Sequence, residues 1–189
     1  SRFYREYKEV KEFGIFSRSG NEVAFGTIGD ASTSEGHFFE TMNAAGVLQV
    51  PLAMSVWDDG WGISVPNDYQ TTKGSISEIL KGFEKGKDTN GFYIYREYAY
   101  DYPALIQMYR EGVEKCRKEH VPVLFHVIGC TQPLGHSTSG SHERYKSKEQ
   151  LELEEQTDGI KRFREWIINE DIATSEELDD IEKQSIKRA

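Results

Sequence analysis

The sequence predicts an α/β fold in which helices flank a doubly wound, mostly parallel sheet. Three observations predict it. Short β-prone segments alternate with segments of helical period, one apolar run is long enough for a strand covered on both faces, and 189 residues with 37% hydrophobic content suffice for one core. Because ligands of such folds bind beyond the carboxyl ends of the strands, the residues that follow each strand are the candidate functional residues.

The first strand and the first long helix are predicted near the start of the chain. Residues 22–30 are a short β-prone run that stops at a Gly-Asp turn. Residues 34–49 carry apolar side chains at helical spacing, namely Phe38, Met42, Ala45 and Leu48. Ser32 with Glu35 matches a capping box, which predicts the start of this helix.

A second strand is predicted over residues 50–57, VPLAMSVW, because their apolar character is nearly continuous. It ends at two adjacent carboxylates, Asp58 and Asp59. The elements predicted further along are a helix over 75–83, a strand over 91–96, a helix over 102–119 and a strand over 121–129. Strand and helix therefore continue to alternate.

The organisation predicted for the chain has four parts. Residues 1–21 are a lead-in, residues 22–130 form the α/β core, residues 131–150 form a loop and residues 151–189 form a helical extension. The loop is long, polar and rich in Gly, Ser, Thr and His, which is typical of functional loops. In the extension we expect two amphipathic helices, the second opened by a capping box of Thr174 and Glu177.

Charge and composition exclude several classes of function. A formal net charge of -9 removes the overall attraction to nucleic acid or to acidic membranes, and no apolar run approaches the roughly 18 residues of a transmembrane helix. Cys116 and Cys130 lack the spacing of a zinc site, a redox pair or a disulfide framework, and Cys116 continues a helical core stripe. We therefore expect a soluble, cytoplasmic protein with no nucleic acid and no membrane partner.

Carboxylates at neighbouring strand ends predict a metal and phosphate site. Asp30 and Asp59 supply the oxygen ligands that Mg²⁺ prefers, and the small residues around Asp30 would let a phosphate approach the positive end of the following helix. The residues alone leave an alternative open, in which Asp58 to Gly60 form a solvated turn and Asp30 caps a helix.

Three longer stretches resemble one family of enzymes. Residues 29–66, GDASTSEGHFFETMNAAGVLQVPLAMSVWDDGWGISVP, resemble the thiamin diphosphate motif of the alpha subunit of 2-oxoacid dehydrogenases, the decarboxylating first component of those complexes. Residues 133–150 resemble the Gly-His-Ser loop of that family, and residues 157–182 resemble its downstream helices. The resemblance implies a thiamin diphosphate-binding fold, with a cofactor-binding core and an active-site loop.

The resemblance also implies a role for individual residues. Asp30 and Asp59 would bind Mg²⁺ through their side chains, and Trp61 would bind it through its main-chain carbonyl. The residues implied to line the diphosphate through the main chain are Gly29, Ala31 and Ser32. His136 would lie beside the cofactor and aid acyl transfer, and it is the implied catalytic residue.

Other residues of the loop and the sheet carry weaker expectations. His142 lies in the same loop and is a second candidate for the role of His136. Ser137 matches a serine that is phosphorylated in mitochondrial relatives. His126 lies in a predicted strand, where a histidine with satisfied hydrogen bonds in the core is the expected case.

The chain departs from the family pattern at three places. The family motif opens Gly-Asp-Gly, and Ala31 replaces its last glycine, which requires only a backbone conformation open to residues with a Cβ. The family closes with Asn-Asn, and the pair Asp58 and Asp59 instead adds negative charge, so we expect at least one raised pKa in the ligand-free protein. Gln132 stands where relatives carry an arginine, and Lys73, Arg144 or a partner chain would have to compensate.

The implied activity is oxidative decarboxylation of a 2-oxoacid with acyl transfer to the lipoyl group of an acyltransferase component. The string His-Ser-Thr-Ser resembles branched-chain members of the family more than pyruvate members, which implies branched-chain acids such as 2-oxoisovalerate as substrates. The activating glutamate would come from a beta subunit or beta half in an alpha2beta2-type assembly, and the short segment before Asp30 suggests a fragment. Two alternatives stay open: a transketolase-like thiamin enzyme, and a non-catalytic assembly fragment that has lost cofactor binding.

Overall fold

A computed structural model describes residues 1–136 and 142–189, which form a parallel sheet with helices around it. Its helices and strands in chain order are α1 (Arg2–Glu6), β1 (Ala24–Gly29), α2 (Gly36–Leu48), β2 (Leu52–Asp58), β3 (Trp61–Gly62), β4 (Val65–Pro66), α3 (Ile76–Ile79), β5 (Tyr93–Tyr98), α4 (Tyr102–Glu119), β6 (Val123–Ile128), α5 (Lys148–Gln156), α6 (Gly159–Asn169) and α7 (Ser175–Arg188). Short 3-10 helices span Lys11–Ile15, Ala31–Ser34, Asn67–Tyr69, Thr72–Gly74, Lys81–Phe83 and His142–Arg144.

The main sheet has the strand order β1-β2-β6-β5, and every neighbouring pair is parallel. β3 and β4 form a separate two-stranded antiparallel ribbon directly after β2. The register aligns Gly29 with Trp57 and Asp58 with Ile128. The predicted α/β architecture with a mostly parallel sheet is therefore confirmed, and the carboxyl ends of β1, β2 and β6 lie side by side.

Two apolar clusters hold helices against the two faces of the sheet. On one face, side chains of α2 and α3 pack with Val56 and Leu124, and on the other face α4 packs with Val123 and Phe125. Cys116 of α4 is fully buried in the second cluster, as predicted. Gly112 lets α4 approach the sheet closely, because a Cβ there would lie 2.4 Å from the Phe125 ring.

The beginning of α2 differs from the prediction. The capping box of Ser32 and Glu35 is wrong, because a 3-10 helix over Ala31–Ser34 intervenes and Glu35 caps α2 without a side-chain hydrogen bond. The turn forms because the main-chain N–H and the hydroxyl of Thr33 both donate to the Asp30 carbonyl, at 3.0 and 2.5 Å. Leu48, expected in the buried stripe, is 53% exposed.

The C-terminal helices follow the prediction more closely. The Thr174 and Glu177 capping box that opens α7 is present, which confirms that prediction. α6 contacts the sheet domain through Phe163, whose ring centroid lies 4.0 Å from that of Tyr102 at the start of α4. In the part of the chain that the structure describes, no helix is long and apolar enough to cross a membrane.

The lead-in segment is attached to the end of α4. Arg5 donates hydrogen bonds to the carbonyls of Arg117 and Lys118, at 2.6 and 3.0 Å. A positive side chain at the last carbonyls of a helix also complements the helix dipole. Arg5 therefore attaches the beginning of this segment to the core, and the division of the chain into four parts stays a prediction.

Candidate functional site

All seven residues predicted for the site line one cavity of about 600 Å³ at the carboxyl edge of the sheet. They are Gly29, Asp30, Ala31, Ser32, Asp59, Trp61 and His136. The structure thus brings together residues from three separate segments. Their individual roles in binding and catalysis stay predictions.

Hydrogen bonds between the strand ends fix the floor of this cavity. The N–H of Asp30 donates to the carbonyl of Trp57 at 3.2 Å, and the N–H of Cys130 donates to the carbonyl of Asp58 at 3.0 Å. The parallel pairing therefore continues one step beyond the regular strands. Asp30 and the Asp58-Asp59 pair converge because they follow adjacent strands that end at the same level.

Asp30 is a buried acid whose outer oxygen lacks a partner. Asp30 is 3% exposed, and its Oδ2 has no hydrogen-bond partner among the described residues. Burial, followed by the negative charges of Asp58 and Asp59, raises the pKa of Asp30 to about 7. The ligand-free site therefore holds a proton on this carboxyl up to near neutral pH.

Asp59 presents a second buried oxygen to the same cavity. Its Oδ1 accepts a hydrogen bond from the Trp61 N–H at 3.2 Å. Its Oδ2 lies 2.6 Å from His136 Nε2, an ionic contact without hydrogen-bond geometry, so this atom is also without a hydrogen-bond partner in the described part of the chain. Burial raises the pKa of Asp59 although His136, the Trp61 N–H and Lys146 oppose the shift. A raised pKa was expected for at least one of the paired aspartates, and Asp59 bears this out.

Asp58 turns away from the cavity. Its Oδ1 accepts a hydrogen bond from the Gly60 N–H and its Oδ2 contacts His126 Nε2, both at 2.8 Å. Residues 58–60 do form a turn, as the alternative interpretation predicted. That interpretation is wrong in calling the turn solvated, because Asp58 is only 7% exposed. His126 is 1% exposed and also contacts Ser77, which confirms its prediction as a satisfied core histidine.

The two free carboxylate oxygens fit a hard divalent cation. A cation would offset the mutual repulsion of Asp30 and Asp59 and would bind two buried oxygens that accept no hydrogen bond from the described residues. Within the described ranges, no group of three or more His, Cys, Asp or Glu side chains is placed to hold a metal. Main-chain and ligand oxygens would therefore have to complete an octahedral shell.

The phosphate side of the cavity has small residues and a close backbone approach. Ala31 lies in a 3-10 helix, a conformation open to any L residue, so the replacement of glycine there causes no backbone strain. Gly29 has open space where a Cβ would stand, whereas a Cβ at Gly62 would lie 2.9 Å from the Cβ of Ala31. Main chain rather than bulky side chains therefore faces a ligand at this end.

The two basic side chains expected to replace the missing arginine lie outside the cavity. Lys73 and Arg144 are exposed and do not line the cavity, so their predicted compensation for Gln132 is not supported. Among the described lining residues there is no lysine and no arginine. Cys130 lines the cavity as a neutral thiol, because burial and the neighbouring carboxylates raise its pKa to about 12.

Lys146 is a functional candidate that sequence reasoning missed. Its side chain is fully buried, its Nζ pairs with the Glu154 carboxylate at 2.9 and 3.0 Å, and it lies 5.5 Å from the centroid of the Trp61 ring. The Tyr145 ring also packs on Trp61, at 5.4 Å between centroids. Residues 146–158 are a charge run, a pattern typical of a solvated face, and Lys146 departs from that pattern because it is buried.

The remaining loop residues divide between two places. His136 lines the main cavity, whereas His142 lines a separate cavity of about 270 Å³ together with Glu154 and Asp158. The structure therefore favours His136 over His142 for the predicted catalytic role. Ser137, the expected phosphorylation site, lies outside the described residues.

The raised pKa of Asp30 predicts how the stability of the ligand-free protein depends on pH. The folded state holds this proton to about pH 7, whereas an unfolded chain releases it at about pH 4, so the folded state binds more protons between those values. The free energy of unfolding should therefore fall as pH rises from about 4 to about 7, by at least about 1 kcal/mol from this group. Urea unfolding of the wild type and of Asp30→Asn across that window measures the difference, and identical pH profiles would contradict the prediction.

The fold and the cavity define an α/β protein with an acidic, cation-receptive site at the carboxyl edge of a parallel sheet. The family described as Dehydrogenase E1 component matches residues 15–189. The chain therefore belongs to the E1 dehydrogenase family, which is thiamin diphosphate-dependent.

The relatives that are similar to this chain are named either for pyruvate or for branched-chain 2-oxoacids. The pyruvate dehydrogenase E1 component subunit alpha of Acholeplasma laidlawii is 31% identical over 88% of this chain and 46% of its own length. The 3-methyl-2-oxobutanoate dehydrogenase subunit alpha of Mycobacterium tuberculosis is 31% identical, over 77% of this chain and 37% of its own length. The mitochondrial 2-oxoisovalerate dehydrogenase subunit alpha 2 of Arabidopsis thaliana is 30% identical, over 74% of this chain and 28% of its own length. The chain spans less than half the length of these relatives.

Proposed function

We propose that these residues belong to the alpha subunit, or the alpha half, of a 2-oxoacid dehydrogenase E1 component. The observation that carries the proposal is the cavity itself, where two buried carboxylate oxygens, which accept no hydrogen bond from the described residues, lie beside small residues at the strand ends. Membership of the E1 family and relatives named as E1 alpha subunits support it. The proposed reaction is decarboxylation of a 2-oxoacid with acyl transfer to a lipoyl group.

Each residue of the cavity has a task in this proposal. Asp30 and Asp59 hold Mg²⁺ through their side chains and Trp61 holds it through its carbonyl. The residues that receive the diphosphate are Gly29, Ala31 and Ser32. When bound, thiamin diphosphate supplies the carbon nucleophile and the electron sink for loss of carbon dioxide.

His136 is proposed to act as the catalytic residue of this chain. Its Nε2 contacts Asp59 Oδ2, so a cation on Asp59 would compete for that contact and free the imidazole to face the substrate. Its Nδ1 is buried without a hydrogen-bond partner in the described structure. An imidazole in that position can move a proton during acyl transfer.

Partners complete the proposed enzyme. A beta subunit or beta half would supply the glutamate that activates the cofactor, in an alpha2beta2-type assembly that works in the cytoplasm with a lipoyl-bearing acyltransferase. We propose branched-chain acids such as 2-oxoisovalerate as substrates, supported by the loop string that begins at His136. Relatives carry both pyruvate and branched-chain names, so substrate assays have to compare the two.

Calorimetric titration of thiamin diphosphate with Mg²⁺ tests the proposal, in the full-length protein together with its beta partner. Binding that requires Mg²⁺, followed by turnover of 3-methyl-2-oxobutanoate faster than of pyruvate, is the expected result. Turnover of pyruvate alone would overturn the substrate assignment. No binding in the wild type would favour a non-catalytic assembly protein, the function suggested by the extra charge at Asp58 and Asp59.

A further inference from the structure

Three buried polar side chains form a hydrogen-bonded chain beneath the candidate metal site. Ser77 Oγ lies 2.9 Å from His126 Nδ1, and His126 Nε2 lies 2.8 Å from Asp58 Oδ2. The order serine, histidine, aspartate matches a hydrolase triad, but Ser77 is only 5% exposed, so its hydroxyl cannot reach a substrate carbonyl. The hydrogen bonds that link Ser77, His126 and Asp58 must therefore serve a purpose other than nucleophilic attack.

The pleat of the sheet explains why Asp58, and not Asp59, forms a hydrogen bond with His126. Val56 and His126 are register partners, and both face the side of the sheet that α2 and α3 cover. Because side chains alternate along a strand, Asp58 points to the same side as Val56, toward His126. Asp59 follows on the opposite side and lines the cavity.

The three acids at the strand ends differ in how their oxygens are used. Both oxygens of Asp58 have partners, the Gly60 N–H and His126 Nε2. The Oδ2 atoms of Asp30 and Asp59 have no hydrogen-bond partner within the described ranges. Both oxygens of Asp58 are therefore engaged in hydrogen bonds, whereas Asp30 and Asp59 each have one oxygen without a hydrogen bond, and that of Asp59 contacts His136.

We propose that His126, held by Ser77, is a positioning residue that keeps Asp58 turned away from the cofactor cavity. The cavity then presents two carboxylates to a cation, and not three. A third free carboxylate would repel the diphosphate of the cofactor across a short distance in a partly buried site. The inference rests on the proposed function, because it assumes that the cavity receives a diphosphate with its cation.

The test compares His126→Leu in two backgrounds. We measure the Kd of thiamin diphosphate at saturating Mg²⁺ in the full-length protein with its beta partner, for wild type, His126→Leu, Asp58→Asn and the double variant. His126→Leu is expected to raise Kd at least about tenfold because it frees the Asp58 charge. With Asp58→Asn present, the same change should raise Kd less than about threefold, because no charge is left to release. An equal rise in both backgrounds would mean that His126 only packs, and no rise in either would deny it any role.

Two further variants control for folding and for geometry. His126→Gln keeps a donor near Asp58 and is expected to restore Kd to within about threefold of wild type. If His126→Leu does not fold, Ser77→Ala takes its place, with an expected rise of about threefold that Asp58→Asn abolishes. A rise that Asp58→Asn leaves unchanged would overturn the inference in that case too.

A ligand-free crystal structure separates this inference from the proposed function. If the wild type does not bind thiamin diphosphate, the proposed function fails, and the structure of the His126→Leu variant, or of Ser77→Ala, still decides the positioning role. Rotation of the Asp58 carboxylate toward Asp59 supports the role. An Asp58 side chain unmoved beside Gly60 would overturn it.

Discussion

Asp30→Asn is expected to raise the Kd of thiamin diphosphate with Mg²⁺ by at least about 100-fold, because the amide removes one of two charged ligands from the buried site. The same substitution should leave the ligand-free protein at least as stable as wild type at pH 8. Burial and two neighbouring aspartates disfavour the charge that the wild type must carry there. Calorimetry measures the affinity, and urea unfolding measures the stability.

Asp88→Asn is the matched control for this substitution. Asp88 is an exposed aspartate away from the cavity, so the same chemical change should alter neither affinity nor stability. The combination of lost affinity with retained stability distinguishes a ligand from a structural residue. A parallel loss of both in Asp30→Asn would mean that Asp30 supports the fold instead of a cation.

Among the substitutions considered, Lys146→Met is expected to lower the free energy of unfolding most, by about 3 kcal/mol. The side chain of Lys146 is fully buried and that of Glu154 is 18% exposed, so the substitution leaves a carboxylate without its partner in a poorly solvated place. Methionine has a similar shape, which limits any effect of lost packing. Because Lys146 also lowers the pKa of Asp59, the pKa of that carboxyl should rise in the variant.

Lys161→Met tests the same chemistry at the surface. Lys161 pairs with Glu155 at 2.9 Å, but these side chains are 56% and 74% exposed, so the loss should stay below about 0.5 kcal/mol. The double variant Lys146→Met with Glu154→Leu should recover much of the stability that Lys146→Met loses, because no charge remains buried. Equal losses at the buried and the exposed pair would refute the importance of burial.

Periodicity predicted the fold well where a segment was long and its period was clear. α4 spans the predicted residues 102–119, with Asp101 as a side-chain cap and proline in the first turn. The buried strand β2 was predicted from its apolar run, and its end differs by one residue. The start of α2 was wrong because a local hydrogen bond from Thr33 favours a 3-10 turn, which periodicity does not encode.

The candidate site was predictable as far as it follows from strand ends. Asp30 and Asp59 converge because β1 and β2 are parallel neighbours, which the alternation of strand and helix already implied. The supporting contacts were not predictable, because Lys146 pairs with Glu154 and His126 pairs with Asp58 only once the chain has folded. A pair of charged or polar residues that meets only through tertiary structure carries no periodic signal.

The adjacency of Asp58 and Asp59 also sets a limit on how β2 can change in evolution. One residue of the pair contacts the core and the other lines the cavity, because successive side chains leave a strand on opposite sides. A single inserted or deleted residue within β2 would exchange their destinations while leaving the composition almost intact. The positions of both carboxylates therefore depend on the length of β2 as well as on its residues.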